Sequence, residues 1–220
     1  MRIDSAQQPI TTFFASIADP DVFCGGGSVA AIAAAGAAST ALLVMRIDQN
    51  RRVNQPEREQ IAASISRTET IINRLYDLAD SDIATLDVLL AAQRNLKAGE
   101  HGGQERYETA LGDAARSPLA IGDASLELLR LIEAELPRAA RFTVSDLGAA
   151  AVLMEGACRA AFLTAEVNIV LLREISDSEQ AIPDAIDLHR SESLKAIIEL
   201  AGRIETATHR RIHLPSARVV

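Results

Sequence analysis

The apolar segment at residues 29–45 constrains the fold of this 220-residue chain more than any other feature. Alanine dominates the segment, and alanine has the highest helix propensity of all residues. Gly36, Ser39 and Thr40 interrupt it and Arg46 follows it, which makes it borderline for a membrane span. Because its small side chains let neighbouring helices approach closely, we interpret it as the buried central helix of a bundle and not as a membrane helix.

The rest of the chain has the same helical character. Hydrophobic residues make up 48% of the chain but aromatic residues only 3%, so Ala, Leu, Ile and Val must build the core. Between Ile61 and Leu90 apolar residues recur every three or four positions, which predicts a long amphipathic helix. No segment alternates as a half-buried strand does. We predict an all-α fold, an antiparallel bundle of about six helices that forms one domain over residues 1–220.

Turn signals divide the chain into these helices. Pro20 ends the first helix, residues 176–178 separate the last two, and Pro215 marks a frayed tail. We expect Pro118 to kink the fourth helix. The predicted helices cover about residues 5–18, 29–47, 56–96, 105–135, 145–175 and 183–211.

The charge balance and the metal-binding residue types exclude several classes of function. The 22 basic and 30 acidic residues give a net charge of −8 with no basic block, which argues against a nucleic-acid partner. Cys24 and Cys158 lie far apart in sequence, and His209 and His213 have no third ligand beside them, so we expect no disulfide and no metal site. The N-terminal residues have no apolar signal-peptide core, and we expect a cytoplasmic protein without a membrane partner.

Three consecutive glycines precede the central helix. They give the backbone access to positive φ and leave no side chain in the way, so unpaired N–H groups at the helix start could meet a carboxylate or a phosphate. The alternative is a tight turn in which a serine or a glycine caps the helix. No Lys-Ser/Thr follows and no strand precedes, so the motif is not a P-loop. The residues of this turn are Gly25, Gly26, Gly27 and Ser28.

Polar residues inside apolar helices are the other candidates for chemistry. Asp80 and Asp82 are two apart on a helix, so both cannot face the core. Either each lies on the solvated side, or one of them is buried, which would raise its pKa for acid–base work. Asp146 follows the predicted N-cap Ser145, and it either complements the helix dipole or presents a carboxylate at a pocket. Asn168 needs partners inside its apolar helix, which a ligand or a neighbouring backbone could supply.

Taken in order, these motifs resemble the formiminotransferase-cyclodeaminase C-terminal domain family. The resemblance covers about residues 5–200 and is carried by the glycine turn, Asp80-Ser81-Asp82, Ser117-Pro118-Leu119, Ser145-Asp146-Leu147-Gly148-Ala149-Ala150 and Asn168. It implies a helical homodimer that handles a folate-bound one-carbon unit, with residues 25–28 in the folate pocket. Asp82 would match the acidic residue of the family's long helix, Asp146 its Ser-Asp motif and Asn168 its asparagine.

The chain departs from the family pattern at three places. Cys24 stands where the family has proline before the glycines. A Gly-Lys-Lys-Lys-Tyr run falls on residues 50–54, where Arg51 and Arg52 keep two basic positions and the third lysine and the tyrosine are replaced. Residues 140–144, Ala-Arg-Phe-Thr-Val, replace a Gly-Asn-x-Asn run before the Ser-Asp motif.

The resemblance implies an enzyme that opens the ring of 5,10-methenyltetrahydrofolate by hydrolysis and forms 10-formyltetrahydrofolate. Asp82 and Asp146 would serve as base and electrostatic partner. Arg51 and Arg52 would meet folate carboxylates, and neither a metal nor a cofactor is required beside the tetrahydrofolate substrate. Three alternatives stay open: a formimidoyltetrahydrofolate cyclodeaminase that releases ammonia, a diverged dimer that binds folate or another anion without turnover, and a purely structural helical dimer.

Overall fold

The computed structural model describes residues 7–20, 24–175 and 181–214, and within these ranges it contains helices and no strand. The predicted all-α bundle of about six helices is therefore confirmed. The predicted connection at residues 176–178 and the tail from Pro215 lie outside the described residues. The helices are α1 (Ile10–Ile17), α2 (Gly26–Arg51), α3 (Gln55–Lys97), α4 (Gly103–Glu135), α5 (Val144–Ile175) and α6 (Ala181–His213), with a short 3-10 helix at Leu136–Arg138 between α4 and α5.

Two helix starts differ from the predicted positions. α1 begins at Ile10, directly after Pro9, and the predicted first residues, 5 and 6, lie outside the described residues. α2 begins at Gly26, three residues before the predicted position, so two glycines of the turn already belong to the helix. Ser145 is not the N-cap of α5, because the preceding residue, Val144, is already helical.

Four helices form a closed ring around the core. α2 packs against α3 and α5, α4 packs against the same two helices, and α6 lies outside against α4 and α5. Because short connections join successive helices, neighbours in the chain run antiparallel. The first turn of α2 therefore lies beside the last third of α5, where Gly26 approaches Thr164. At the other end, the Asp48 carboxylate accepts a hydrogen bond from the backbone N–H of Ala140, just before α5.

α2 is the central helix that the alanine-rich sequence predicts. Its alanines at positions 30, 31, 34, 35, 37, 38 and 41 are all buried, and their small side chains allow the surrounding helices to approach closely. By length and composition α2 and α5 could each cross a membrane, but 61% of the most apolar stretch of α2 is buried inside the protein. Burial of this kind is typical of a core helix.

One end of the helix bundle is open, beyond the N-terminal end of α2. α3 continues past Asp82 to Lys97, about 22 Å at 1.5 Å per residue. α4 begins and α5 ends in the same region. α3, α4 and α5 therefore extend beyond the first residue of α2, and the candidate site lies in the space between these three helices.

Candidate functional site

A cavity of about 280 Å³ lies at the start of α2, between α3, α4 and α5. Most of its wall is apolar, and Asp82 is its ionisable side chain. An apolar cavity with a few placed polar groups is the usual form of a small-molecule site. The cavity is lined by Gly25, Gly26, Gly27, Asp82, Thr85, Leu86, Leu89, Ala114, Thr164, Val167 and Asn168.

Asp82 reaches from α3 to the first turn of α2. Its Oδ2 accepts a hydrogen bond from the backbone N–H of Ser28 at 2.9 Å. Gly25 is the N-cap residue of α2 and makes no side-chain cap, so Asp82 supplies from another helix the acceptor that a capping side chain would provide. The carboxylate also faces the positive end of the α2 dipole. A carboxylate does bind the backbone at the start of α2, as the sequence suggests it could, but this carboxylate belongs to Asp82 of the same chain.

Gly27 and, less strictly, Gly26 are needed for space and not for an unusual backbone conformation. A Cβ on Gly27 would lie 2.3 Å from Oδ1 of Asp82, and one on Gly26 would lie 3.1 Å from Cγ2 of Thr164. None of the three glycines has a positive φ; among the described residues Gly99 and Gly102 do. The positive-φ part of our prediction is therefore wrong, and its second part, the absence of an obstructing side chain, is confirmed at Gly27.

Burial sets the protonation behaviour of Asp82. The removal of the carboxyl group from water raises its pKa above the ordinary 3.8, and the hydrogen bond from Ser28 opposes that rise only in part. A raised pKa makes the carboxylate a stronger base than an exposed aspartate. Asp80 does not line the cavity, as expected for a residue on a different face of α3.

Asn168 enters the cavity wall from α5. Its Nδ2 donates a hydrogen bond to the backbone carbonyl of Ala114 at 3.0 Å, which joins α5 to α4 and fixes the orientation of the amide. Both sequence interpretations thus apply, since Asn168 has a backbone partner and also lines the cavity.

Four predicted site residues do not line this cavity. Ser28 is buried, and its backbone N–H donates to Asp82. Asp146 is in the first turn of α5, and the 22 residues between it and Asn168 correspond to about 33 Å of helix. Arg51 and Arg52 are at the far end of α2, about 38 Å from Gly26. One chain therefore brings together the glycine turn, Asp82 and Asn168 and keeps the other three at the opposite end of the bundle.

Sequence reasoning missed the apolar and threonine walls of the cavity. Thr85, Leu86 and Leu89 follow Asp82 at helical spacing, Thr164 precedes Asn168 by one helical turn, and Val167 directly precedes Asn168. The helical spacings are present in the sequence on either side of the two polar residues. In the described part of the chain, no three His, Cys, Asp or Glu side chains lie close enough to hold a metal ion.

The fold and the site define a helical-bundle protein whose cavity is built around one half-buried carboxylate at the start of a core helix. The family model described as formiminotransferase-cyclodeaminase matches residues 9–182. The chain belongs to the formiminotransferase-cyclodeaminase family, and the resemblance inferred from the order of its motifs is confirmed.

A solved structure has the same fold. The crystal structure of a formiminotetrahydrofolate cyclodeaminase from Thermotoga maritima matches with a TM-score of 0.78 and 19% sequence identity, over 93% of this chain and 98% of that chain. At this identity the likeness establishes the architecture alone. No curated protein sequence matches the chain.

Proposed function

We propose that the protein is a folate one-carbon enzyme that hydrolyses 5,10-methenyltetrahydrofolate to 10-formyltetrahydrofolate. The observation that carries the proposal is the half-buried Asp82 carboxylate, with its raised pKa, in the wall of an otherwise uncharged cavity. The substrate carbon lies between two nitrogens that share a positive charge. A carboxylate in a low-dielectric wall would attract that cation and could take a proton from the attacking water.

The reaction balances with one water molecule. The water oxygen bonds to the amidinium carbon, and the water's first proton passes to the Asp82 carboxylate. One carbon–nitrogen bond then breaks, and its electron pair returns to the nitrogen, which takes the proton held by Asp82. The hydroxyl group of the adduct loses its proton to solvent as the C=O bond forms, and the carbon stays on the other nitrogen as a formyl group. The net products are the formyl compound and one proton, and the Asp82 carboxylate is regenerated.

A cyclodeaminase reaction is the second candidate, and the name of the Thermotoga maritima protein favours it. The same cavity would then hold a formimino group. The second folate nitrogen would bond to the formimino carbon while the bond from that carbon to the formimino nitrogen breaks. The departing nitrogen would leave as ammonia after it takes one proton from the attacking nitrogen and one from protonated Asp82. The test is to mix the purified protein with each substrate in turn. Loss of methenyltetrahydrofolate absorbance is followed in one assay and release of ammonia in the other, each against an enzyme-free control. No rate above the control in the first assay would contradict the hydrolase, and folate binding without turnover in either would leave a binding protein.

We also propose that the protein is a homodimer, as the family resemblance implies. An exposed apolar face runs along α2 and α5, and its larger members are Leu43, Val152, Leu153, Leu163, Val167 and Val170. Near its middle, Gly36 and Gly156 have open space beside them, so a second chain could approach the backbone closely. A second copy of the same face is the simplest partner for such a surface.

The dimer would complete the site. α2 and α5 run antiparallel, and the cavity lies at one end of the shared face while Arg51 and Asp146 lie at the other. A twofold axis through the middle of the face exchanges the two ends. Asp82 of one chain and Asp146 of the second copy could then serve one reaction, which a single chain does not allow across about 33 Å of helix.

The dimer face can be tested by introducing charge. We expect the wild-type protein to have twice the 23.5 kDa chain mass in light scattering and Leu153→Glu to have the mass of one chain. In a dimer, the two carboxylates introduced by this substitution would be buried close to each other across the twofold axis, and burying unpaired charges is unfavourable. Leu188→Glu is the matched control, because Leu188 is similarly exposed but lies on α6. A monomeric wild-type protein would contradict the proposed dimer.

The pH dependence of turnover follows from the pKa of Asp82. Hydrolysis needs the ionised carboxylate, and burial raises its pKa above 3.8. We therefore expect kcat to fall as the pH is lowered, with a midpoint above 3.8, and to level off at higher pH. Initial rates measured across the acid range would show this limb. A rate that stays constant down to pH 3.8 would exclude Asp82 as the base.

A further inference from the structure

An aromatic ring is exposed at the end of the bundle opposite the cavity. Phe142, in the connection between α4 and α5, is 68% exposed. The guanidinium carbon of Arg51 lies 5.2 Å from the centre of its ring, a cation–π arrangement. Both residues belong to segments where this chain departs from the family pattern, so the pair is a property of this protein and not of the family motifs.

The connection that carries Phe142 is held in place by side chains from α6 and from the C-terminal end of α2. Its backbone carbonyls accept hydrogen bonds from an arginine directly after α2 and from an arginine of α6, and a backbone N–H donates to a buried carboxylate of α2. The contacts are Arg52 to the carbonyl of Arg138 at 2.6 Å, Arg211 to the carbonyls of Pro137 and Ala139, and the N–H of Ala140 to Asp48 at 3.3 Å. An exposed ring on a fixed backbone loses little conformational entropy when a ligand stacks on it.

Several arginines lie around the ring in a chain whose net charge is −8. They include Arg51, Arg52, Arg138 and Arg211, and ion pairs join some of them to Asp48, Glu57 and Glu135. Arg51 lies 3.7 Å from Asp48 and keeps about half of its side chain in contact with solvent, so its guanidinium can also meet an incoming anion.

We propose that Arg51 and Phe142 form a binding surface for a flat aromatic group that carries a carboxylate. The ligand ring stacks on Phe142, and its carboxylate pairs with the guanidinium of Arg51. The inference rests on the proposed function. A cavity of about 280 Å³ is small for a ligand pocket, so we expect it to hold the reacting end of a folate while the aromatic amide and its carboxylates extend beyond it. In the proposed dimer the Arg51–Phe142 surface lies next to the cavity of the second copy.

The test uses N-(4-aminobenzoyl)glutamate as the probe, because it has the ring and the carboxylates but no one-carbon unit. The full-length protein is titrated with it and binding is followed by ligand-observed NMR. We expect Phe142→Ala and Arg51→Met each to weaken binding by about tenfold and Phe142→Tyr to retain it. Phe14→Ala, which removes an exposed ring elsewhere, is the matched control and should bind as the wild type does.

Turnover separates this inference from the proposed function. If methenyltetrahydrofolate is a substrate, Phe142→Ala should raise KM by about tenfold and leave kcat unchanged, since the ring lies away from the reacting carbon. Probe binding that depends on Phe142, in a protein without turnover, would support the surface and contradict the enzyme. Turnover with an unchanged KM in Phe142→Ala, or probe binding that neither variant weakens, would overturn the surface and leave the enzyme standing.

Discussion

Replacement of Asp82 by asparagine should lower the turnover of methenyltetrahydrofolate by about 10²–10⁴-fold and leave the fold intact. Asparagine has nearly the same shape, and its side-chain oxygen can still accept the hydrogen bond that Ser28 donates to the carboxylate. What is lost is the base and the negative charge beside the substrate cation. The absorbance assay measures kcat, and circular dichroism and thermal unfolding measure the fold.

The stability of this variant provides an independent check. Burial raises the pKa of Asp82 in the folded chain above 3.8, so the ionised carboxylate opposes folding at pH values above the folded pKa. That cost is relieved as the pH falls toward 3.8. Asparagine has no such cost, and Asp82→Asn should therefore unfold at the same temperature as the wild type or at a higher one at pH 7. Reduced turnover without reduced stability is typical of a residue kept for function.

Two further variants make the result specific to the site. Asp87→Asn makes the same change of charge on an exposed residue of α3 and should keep wild-type turnover. Asp146→Asn should lower turnover by at least about tenfold if it acts as the electrostatic partner. Chains carrying Asp82→Asn, mixed with chains carrying Asp146→Asn, should recover about a quarter of the wild-type rate, because each mixed dimer has one intact site. Wild-type turnover in Asp82→Asn would remove it from the reaction.

The sequence could predict most of the helical architecture because the physical causes are local. The three- and four-residue spacing of apolar residues defines α3, and the alanines at 30–41 define a helix that can be buried on several sides. The start of α2 was harder to place, since its first turn receives its acceptor from Asp82, which is far away in sequence. Helix caps supplied by another helix leave no local signal.

The candidate site was predictable in part. The spacing of Asp80 and Asp82 indicates that at most one of them faces inward, but the packing of α2 against α3 decides whether one does and which one. The separation of Asp146 from Asn168 could have been inferred, since both lie on one predicted helix about 33 Å apart. The family resemblance places Asp146 and Asn168 in one site because their motifs follow each other in the chain. The order of motifs, however, carries no information about position along the bundle axis.

The last residue of the glycine turn gives the second prediction of large effect. Gly27→Ala should lower turnover about as strongly as Asp82→Asn, and it should also destabilise the protein. A Cβ at this position would lie 2.3 Å from Oδ1 and 2.6 Å from Cγ of Asp82, so the carboxylate must move and give up its hydrogen bond with Ser28. Overpacking of this kind costs about 1–3 kcal/mol, which should exceed the helix-propensity gain of about 1 kcal/mol from alanine.

A double-mutant cycle can show that the damage at Gly27 passes through Asp82. Gly27→Ala should destabilise the wild type in urea unfolding, yet it should be neutral or stabilising in an Asp82→Ala background, because the three atoms nearest to the new methyl group all belong to the Asp82 carboxyl group. Gly202→Ala is the matched control, because a Cβ there meets no atom within 4 Å and only the propensity gain applies. Equal destabilisation by Gly27→Ala in both backgrounds would mean that the glycine is needed for another reason, and the close approach of carboxylate to backbone would no longer explain the turn.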